Sequence, residues 1–195
     1  MRNFLMVTAW LGLCLPGIAA AEDTSIRAIP LPDHRTLEIT TPVSWHMDVQ
    51  QQPDRPPTIG FRSEGDAQYE IDIETRWLAV GTTTAIELAS KKIRVQSAAD
   101  YKAPRTVEKT VLVKPLEGDE LRGYYYSMTD SDSVPVAERE GYKSLSQGFI
   151  LVGDFEADFV IMSNDSSGET ARLVLLAIQS MAIRNPLVAS PSKAL

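Results

Sequence analysis

The fold is decided between Tyr142 and Arg184. Lys143-Ser-Leu-Ser-Gln-Gly-Phe-Ile-Leu-Val-Gly153 is rich in strand formers, a turn follows, and a second run alternates through Met162. In that second run Phe155, Ala157, Phe159 and Ile161 fall on one side of the backbone, because strand side chains alternate between faces. Ser166-Ser-Gly-Glu169 then matches a capping box, in which the hydroxyl and the carboxylate each satisfy an orphan backbone donor of the first helical turn. Asn164-Asp-Ser166 also fits an N-glycosylation sequon, but a turn and a helix start are what this position needs. Beyond it Leu173-Val-Leu-Leu-Ala-Ile178 is apolar nearly all round, which calls for deep packing. The unit is a hairpin followed by a helix ending near Arg184.

At the other end of the chain, Arg2 supplies a positive start, Phe4 to Leu15 is almost unbroken apolar sequence, Pro16-Gly17 breaks it, and Ala19-Ala20-Ala21 offers a small-residue cleavage site. Residues 1–21 form a secretory signal peptide, with the mature chain beginning at Glu22. An apolar run of about twelve residues is too short for a bilayer that needs roughly 20 helical residues. Cys14 is preceded by the large Leu13, which disfavours lipidation. It is also the only cysteine, so the mature chain has no thiol, no disulfide and no thiolate metal site. Residues 22–186 are one domain, large enough for a single core, and residues 187–195 a flexible tail. The net charge of −7 becomes −8 once Arg2 is removed, which argues against nucleic-acid binding.

Along the mature chain, Glu22 to Pro32 reads as a mobile leading segment and Arg35 to Thr40 as a short strand that Pro42-Val-Ser-Trp45 stops. Gln50 to Pro57, with its prolines and no apolar period, reads as a loop. Thr58 to Ser63 and Ala67 to Trp77 form a hairpin. In its second strand Tyr69, Ile71, Ile73, Thr75 and Trp77 alternate with charged and polar residues. Thr84-Ala-Ile-Glu87 is a capping box for a helix to about Ala99, with Ala85, Ile86, Leu88, Ala89, Ile93 and Val95 inward and Glu87, Lys91 and Arg94 toward water. Lys109 to Lys114 and Leu121 to Thr129 are two further strands across Pro115 to Asp119, followed by a polar loop to Gly141. The order of elements predicts an α+β domain, a mostly antiparallel β-sheet covered by two main helices.

Pro42-x-x-Trp45, the hairpin Thr58 to Trp77, the amphipathic helix from Thr84 and the terminal unit from Gln147-Gly-Phe-Ile onward together resemble the PsbP/Mog1/DcrB-like α/β/α sandwich domains. The resemblance covers nearly all of the mature chain. It implies a small exported bacterial protein with an accessory, assembly-assisting or partner-binding role, and carries no catalytic residue with it.

The residues themselves agree with that implication. His34 and His46 lie beside Asp33 and Asp48 without a metal-ligand spacing. There is neither a Gly-x-Ser-x-Gly elbow nor a Ser-x-x-Lys acylation motif with its partners. Glu70/Asp72/Glu74 and Asp154/Glu156/Asp158 recur at every second residue, which puts each set on one solvated strand face rather than across a substrate. Seven basic residues between Lys91 and Lys114, including Lys91, Lys92 and Arg94, make a candidate interaction patch for an acidic partner or anionic headgroups. Trp45, Trp77, Tyr124 and Tyr126 are candidates for lining a ligand pocket, set against ordinary core packing.

The sequence therefore predicts a non-catalytic, exported accessory or partner-binding protein of the cell envelope, periplasmic or secreted, without cofactor, metal or transmembrane anchor. A small-ligand carrier and an unrecognised hydrolase are the alternatives. If the terminal hairpin is the core, Phe159→Ala should cost about 3–5 kcal/mol. Chemical denaturation measures this, and unchanged stability would place Phe159 outside the core.

Overall fold

The computed structural model describes residues 23–33, 35–62, 69–79, 84–102, 106–108, 110–129, 142–164 and 168–185. The strands are β1 (Thr24–Pro30), β2 (Thr36–Pro42), β3 (His46–Gln52), β4 (Arg55–Arg62) and β5 (Tyr69–Trp77) before the helix α1 (Thr84–Lys102). After it come β6 (Lys114–Glu117), β7 (Leu121–Thr129), β8 (Ser144–Val152) and β9 (Phe155–Ser163), then α2 (Glu169–Gln179) and β10 (Ala182–Arg184). Seven strands form one sheet in the order β3-β4-β5-β9-β8-β7-β6, and three form a second in the order β1-β2-β10. All their pairings are antiparallel.

The large sheet is joined at its centre by β5 and β9, registered from Tyr69↔Ser163 to Trp77↔Phe155. On one face this register lays Ile71 and Ile73 beside Ile161 and Phe159, and the apolar layer continues onto Ile59, Phe61, Ile150 and Val152. Val174, Ala177 and Ile178 of α2, with Leu37 and Ile39 of the small sheet, close over it. On the opposite face Tyr126, Phe149 and Leu151 meet Val95 and Ala99 of α1. Phe149 and Ile150 are successive residues of β8, so α1 sits on one side of the sheet and α2 with the small sheet on the other. Burial on both faces accounts for the apolar run from Phe149 to Val152. Helix α1 packs on β7 and β8. The outward face of the β3-β4-β5 half exposes His46, Asp48, Asp72, Glu74 and Arg76.

The hairpin at the centre of the sequence reading is present. Phe155, Ala157, Phe159 and Ile161 are all at most 1% exposed, and Gly153, at φ 62°, makes the two-residue turn with Asp154. The α+β class, the mostly antiparallel sheet, the alternation of β5, the stop at Pro42 and the start of α1 at Thr84 also agree with the sequence reading. Residues 1–22, 63–68, 130–141 and 186–195, and with them the signal-peptide, polar-loop and tail assignments, lie outside the described residues.

Other local readings are corrected. The leading segment contains β1, which pairs along its whole length with β2. The expected loop at Gln50 to Pro57 is the end of β3 and the start of β4, folded about Pro53 and Asp54. Its prolines are tolerated because the ladder from β4 to β5 begins only at Ile59. The strand expected from Lys109 starts instead at Lys114, since Val111 and Val113 are used to pack the α1 cluster. The terminal helix stops at Gln179, and Ala182–Arg184 pairs with β2. Leu176 of that helix stays 48% exposed, so its packing is one-sided. Gly168, at φ 75°, caps α2 without a side-chain hydrogen bond, while the Glu169 carboxylate binds Arg172. Ser166 lies outside the described residues, and Asn164 accepts a hydrogen bond from the Lys143 N–H at 3.0 Å.

Gly148 stands opposite Phe159 in the ladder. A Cβ there would meet the Tyr124 carbonyl oxygen at 2.4 Å, Tyr125 Cβ at 2.5 Å and Phe159 Cζ at 2.7 Å. The carbonyl cannot retreat without opening the β7–β8 ladder. Gly148→Ala is therefore expected to destabilise the fold by about 1–3 kcal/mol, and an unchanged urea midpoint would contradict this packing.

Candidate functional site

Helix α1 turns a stripe of Lys91, Val95 and Ala99 toward the sheet, with Leu88 and Ala98 half-buried beside it. Ile86 and Ile93, expected inside, are each 66% exposed. Lys91, expected in water, is 3% exposed. The apolar residues of the sequence are broad enough to suit either face, and what selects this one is a pair of acids on β9. Lys91 Nζ lies 3.0 Å from both carboxylate oxygens of Asp158 and pairs directly with Glu156, whose side chain is 1% exposed. Arg76 of β5 also pairs with Glu156 and reaches Asp158 at 3.2 Å. Burial works against the Arg76 charge, but the Glu156 hydrogen bond and the nearby acids hold the guanidinium above its ordinary range. Two cations and two carboxylates thus neutralise one another under α1.

Beside this quartet runs a groove of about 580 Å³ between α1 and β5. Asp72, Glu74 and Arg76 line it from β5, Lys91, Arg94, Val95 and Ala98 from α1, and Gln147 and Tyr126 from the floor. The ladder places Asp72, Val160, Gln147 and Tyr126 in one row across four strands. Burial holds the Tyr126 phenol protonated by raising its pKa, and its hydroxyl donates to Gln147 Oε1 at 2.8 Å.

The sequence-derived candidates distribute differently from expectation. Lys91, Lys92 and Arg94 form no common surface. Lys91 is buried in the quartet, Lys92 Nζ sits 4.7 Å above the Tyr124 ring, and Arg94 is exposed on the groove side. Lys92 lies one and two positions from Lys91 and Arg94, spacings that point in widely different directions on a helix, which is the reason. Arg105 and Lys109 lie outside the described residues.

The aromatic candidates separate too. Trp45 packs against Phe61 and Tyr69, and Trp77 against Phe155, on the α2 side of the sheet. Tyr126 is fully buried on the α1 side, and Tyr124 is half-buried there. The four rings line no common pocket.

Glu156 corrects the reading of the second acidic triad as one solvated face. Asp154, in the β8–β9 turn, is held bidentately by Arg35 at 2.7 and 3.0 Å, and that hydrogen bond lowers the pKa of its carboxyl. The Arg35 guanidinium also stacks 4.7 Å from the Trp77 ring. His46 is exposed at the start of β3, and His34 is outside the described residues. No group of three or more potential metal ligands occurs among the described residues. No described helix is long and apolar enough to cross a membrane.

Sequence reasoning missed Arg76, Gln147, Glu156 and Asp158. A detectable signal existed: Lys91, Val95 and Ala99 share a 3.6-residue frame, and Glu156 and Asp158 share a face with Phe149 and Leu151 in the paired strand. Lys91→Ala would leave Glu156 buried and short of a partner, and is expected to cost about 3–5 kcal/mol in urea unfolding. The double change Lys91→Met with Glu156→Gln should recover most of that loss. Equal losses in the two proteins would mean that charge pairing is not what holds α1.

No protein-family model matches the sequence, and no curated protein matches it in sequence. Among solved structures, the solution structure of cyanobacterial PsbP (CyanoP) from Synechocystis sp. PCC 6803 superposes with a TM-score of 0.51. The match covers 88% of this chain and 98% of that one at 11% sequence identity. At that identity the likeness is one of fold. The two helices, the mixed α+β composition and the antiparallel sheet make this a PsbP-like fold.

Proposed function

We propose that the chain is a non-catalytic accessory domain of the cell envelope, exported by its N-terminal signal and binding a partner protein on the α1 side of the sheet. One observation carries the reading. Helix α1 covers only part of its sheet face, and beside it stand a groove and an exposed, polar surface on β3, β4 and β5. Side chains such as Asp72 and Glu74 are offered outward on rigid strands, as a recognition surface requires.

The acids nearest the groove floor suit this better than catalysis. A general acid or base must exchange a proton with its substrate. Glu156 and Asp158 are each occupied by Lys91 and Arg76. The carrier alternative draws no support from aromatic rings on opposite sides of a sheet. The PsbP-like fold accords with the accessory role that the sequence resemblance implies.

A photo-crosslinking residue placed at Glu74, and separately at Leu176 on the α2 side, tests the surface in cells that make the protein. A defined adduct from position 74 and none from 176 is the expected outcome. Adducts only from 176, or none from 74, would overturn the proposal.

A further inference from the structure

We propose that the groove between α1 and β5 receives an extended polypeptide segment with lysine or arginine at alternate positions. This rests on the partner-binding reading above and names the chemistry of the partner.

The charges lining the groove divide into two groups. Arg76, Lys91 and Asp158 are used within the protein. The side chains of Asp72 and Glu74 on the β5 wall and of Arg94 on the α1 wall make no hydrogen bond or ion pair among the described residues. What the groove offers a ligand is therefore two carboxylates on one wall and one guanidinium on the other.

The spacing of the carboxylates selects the shape of the ligand. Asp72 and Glu74 are alternate residues of one strand, so they share a face at roughly 6.7 Å along it. An extended segment lying alongside β5 repeats its own side chains at that same interval. Two cations two residues apart then meet both carboxylates in register, whereas in a helix such residues point in different directions. Gln147 spends Oε1 on Tyr126, leaving its Nε2 hydrogens without a partner among the described residues, free to donate to a backbone carbonyl of the segment. Arg94 suits an acidic side chain or terminal carboxylate on the opposite side of the same segment. The volume falls within the roughly 300–1,000 Å³ of ligand clefts, and the chain's net charge of −7 attracts a basic partner over distance.

Fluorescence anisotropy with labelled nine-residue peptides of equal composition tests this on the purified protein. A peptide with lysines in a Lys-x-Lys pattern should bind about tenfold more tightly than one with Lys-x-x-Lys, or than a Glu-x-Glu counterpart. Asp72→Asn with Glu74→Gln should abolish that preference, and Asp48→Asn, on the same open face but outside the groove, should leave it intact. Equal binding of the two lysine patterns, or an equal loss with Asp48→Asn, would reduce the effect to diffuse attraction and overturn the inference. Failure of every basic peptide to bind would overturn it as well. The partner-binding reading would then stand or fall separately, on whether position 74 crosslinks in cells.

Discussion

The pairing of β5 with β9 is the constraint on which the rest of the molecule depends. It joins the strands before α1 to those after it, and its register is read on both faces at once. On one face it aligns Ile71 and Ile73 with Ile161 and Phe159 in the main core. On the other it sets Glu74 beside Asp158 and Arg76 beside Glu156. A slip of one residue would carry the isoleucines into the groove and the carboxylates into the core, so the apolar alternation fixes the site geometry as strictly as it fixes the core. The charged groove and the apolar core are here two sides of one ladder.

The buried quartet has a different role from the apolar layer. Removing two charges from water costs about as much as their attraction returns, so such pairs are weak sources of net stability. What the quartet supplies is direction. The described apolar residues on the inward side of α1 are few, chiefly Leu88, Val95 and Ala99, and the helix carries Ile86 and Ile93 on its far side. Apolar burial alone would leave its rotation weakly determined. Lys91 meeting Glu156 and Asp158 sets that rotation, and thereby sends Arg94 to the groove and Lys92 to Tyr124.

Where the sequence was legible, the deciding signal was local. Alternation in β5 and β9, the Gly153 turn and the start of α1 each follow from a few neighbouring residues. Gln50 to Pro57 misled because proline signals a loop until one knows that the ladder to β5 begins beyond it. Residues 24–30 carry a strand whose partner is simply the next one along, yet charged and small residues mask its alternation. The site was least legible. Lys91 owes its place to acids 65 and more positions away in the chain, with Lys91 and Asp158 separated by 67. The frame it shares with Val95 and Ala99 turns Lys91 inward, but nothing near it in the sequence points to Glu156 and Asp158 as its partners.

The small sheet has a consequence for how the chain acquires its structure. Strand β2 is bordered on one side by β1 and on the other by β10, and Arg184 reaches Glu38 across a separation of 146 residues. The Thr40 N–H likewise ends on Ser180 Oγ, 140 residues on. Contacts of such separation slow folding, because a long loop must close before they reward it. A chain supplied from its N-terminus therefore holds the β1–β2 hairpin with one edge open, and with Leu37 and Ile39 lacking their α2 cover, until its final elements arrive. Completion is a late, concerted event, and the interval before it is when this protein is most exposed to aggregation and to any chaperone that would hold it.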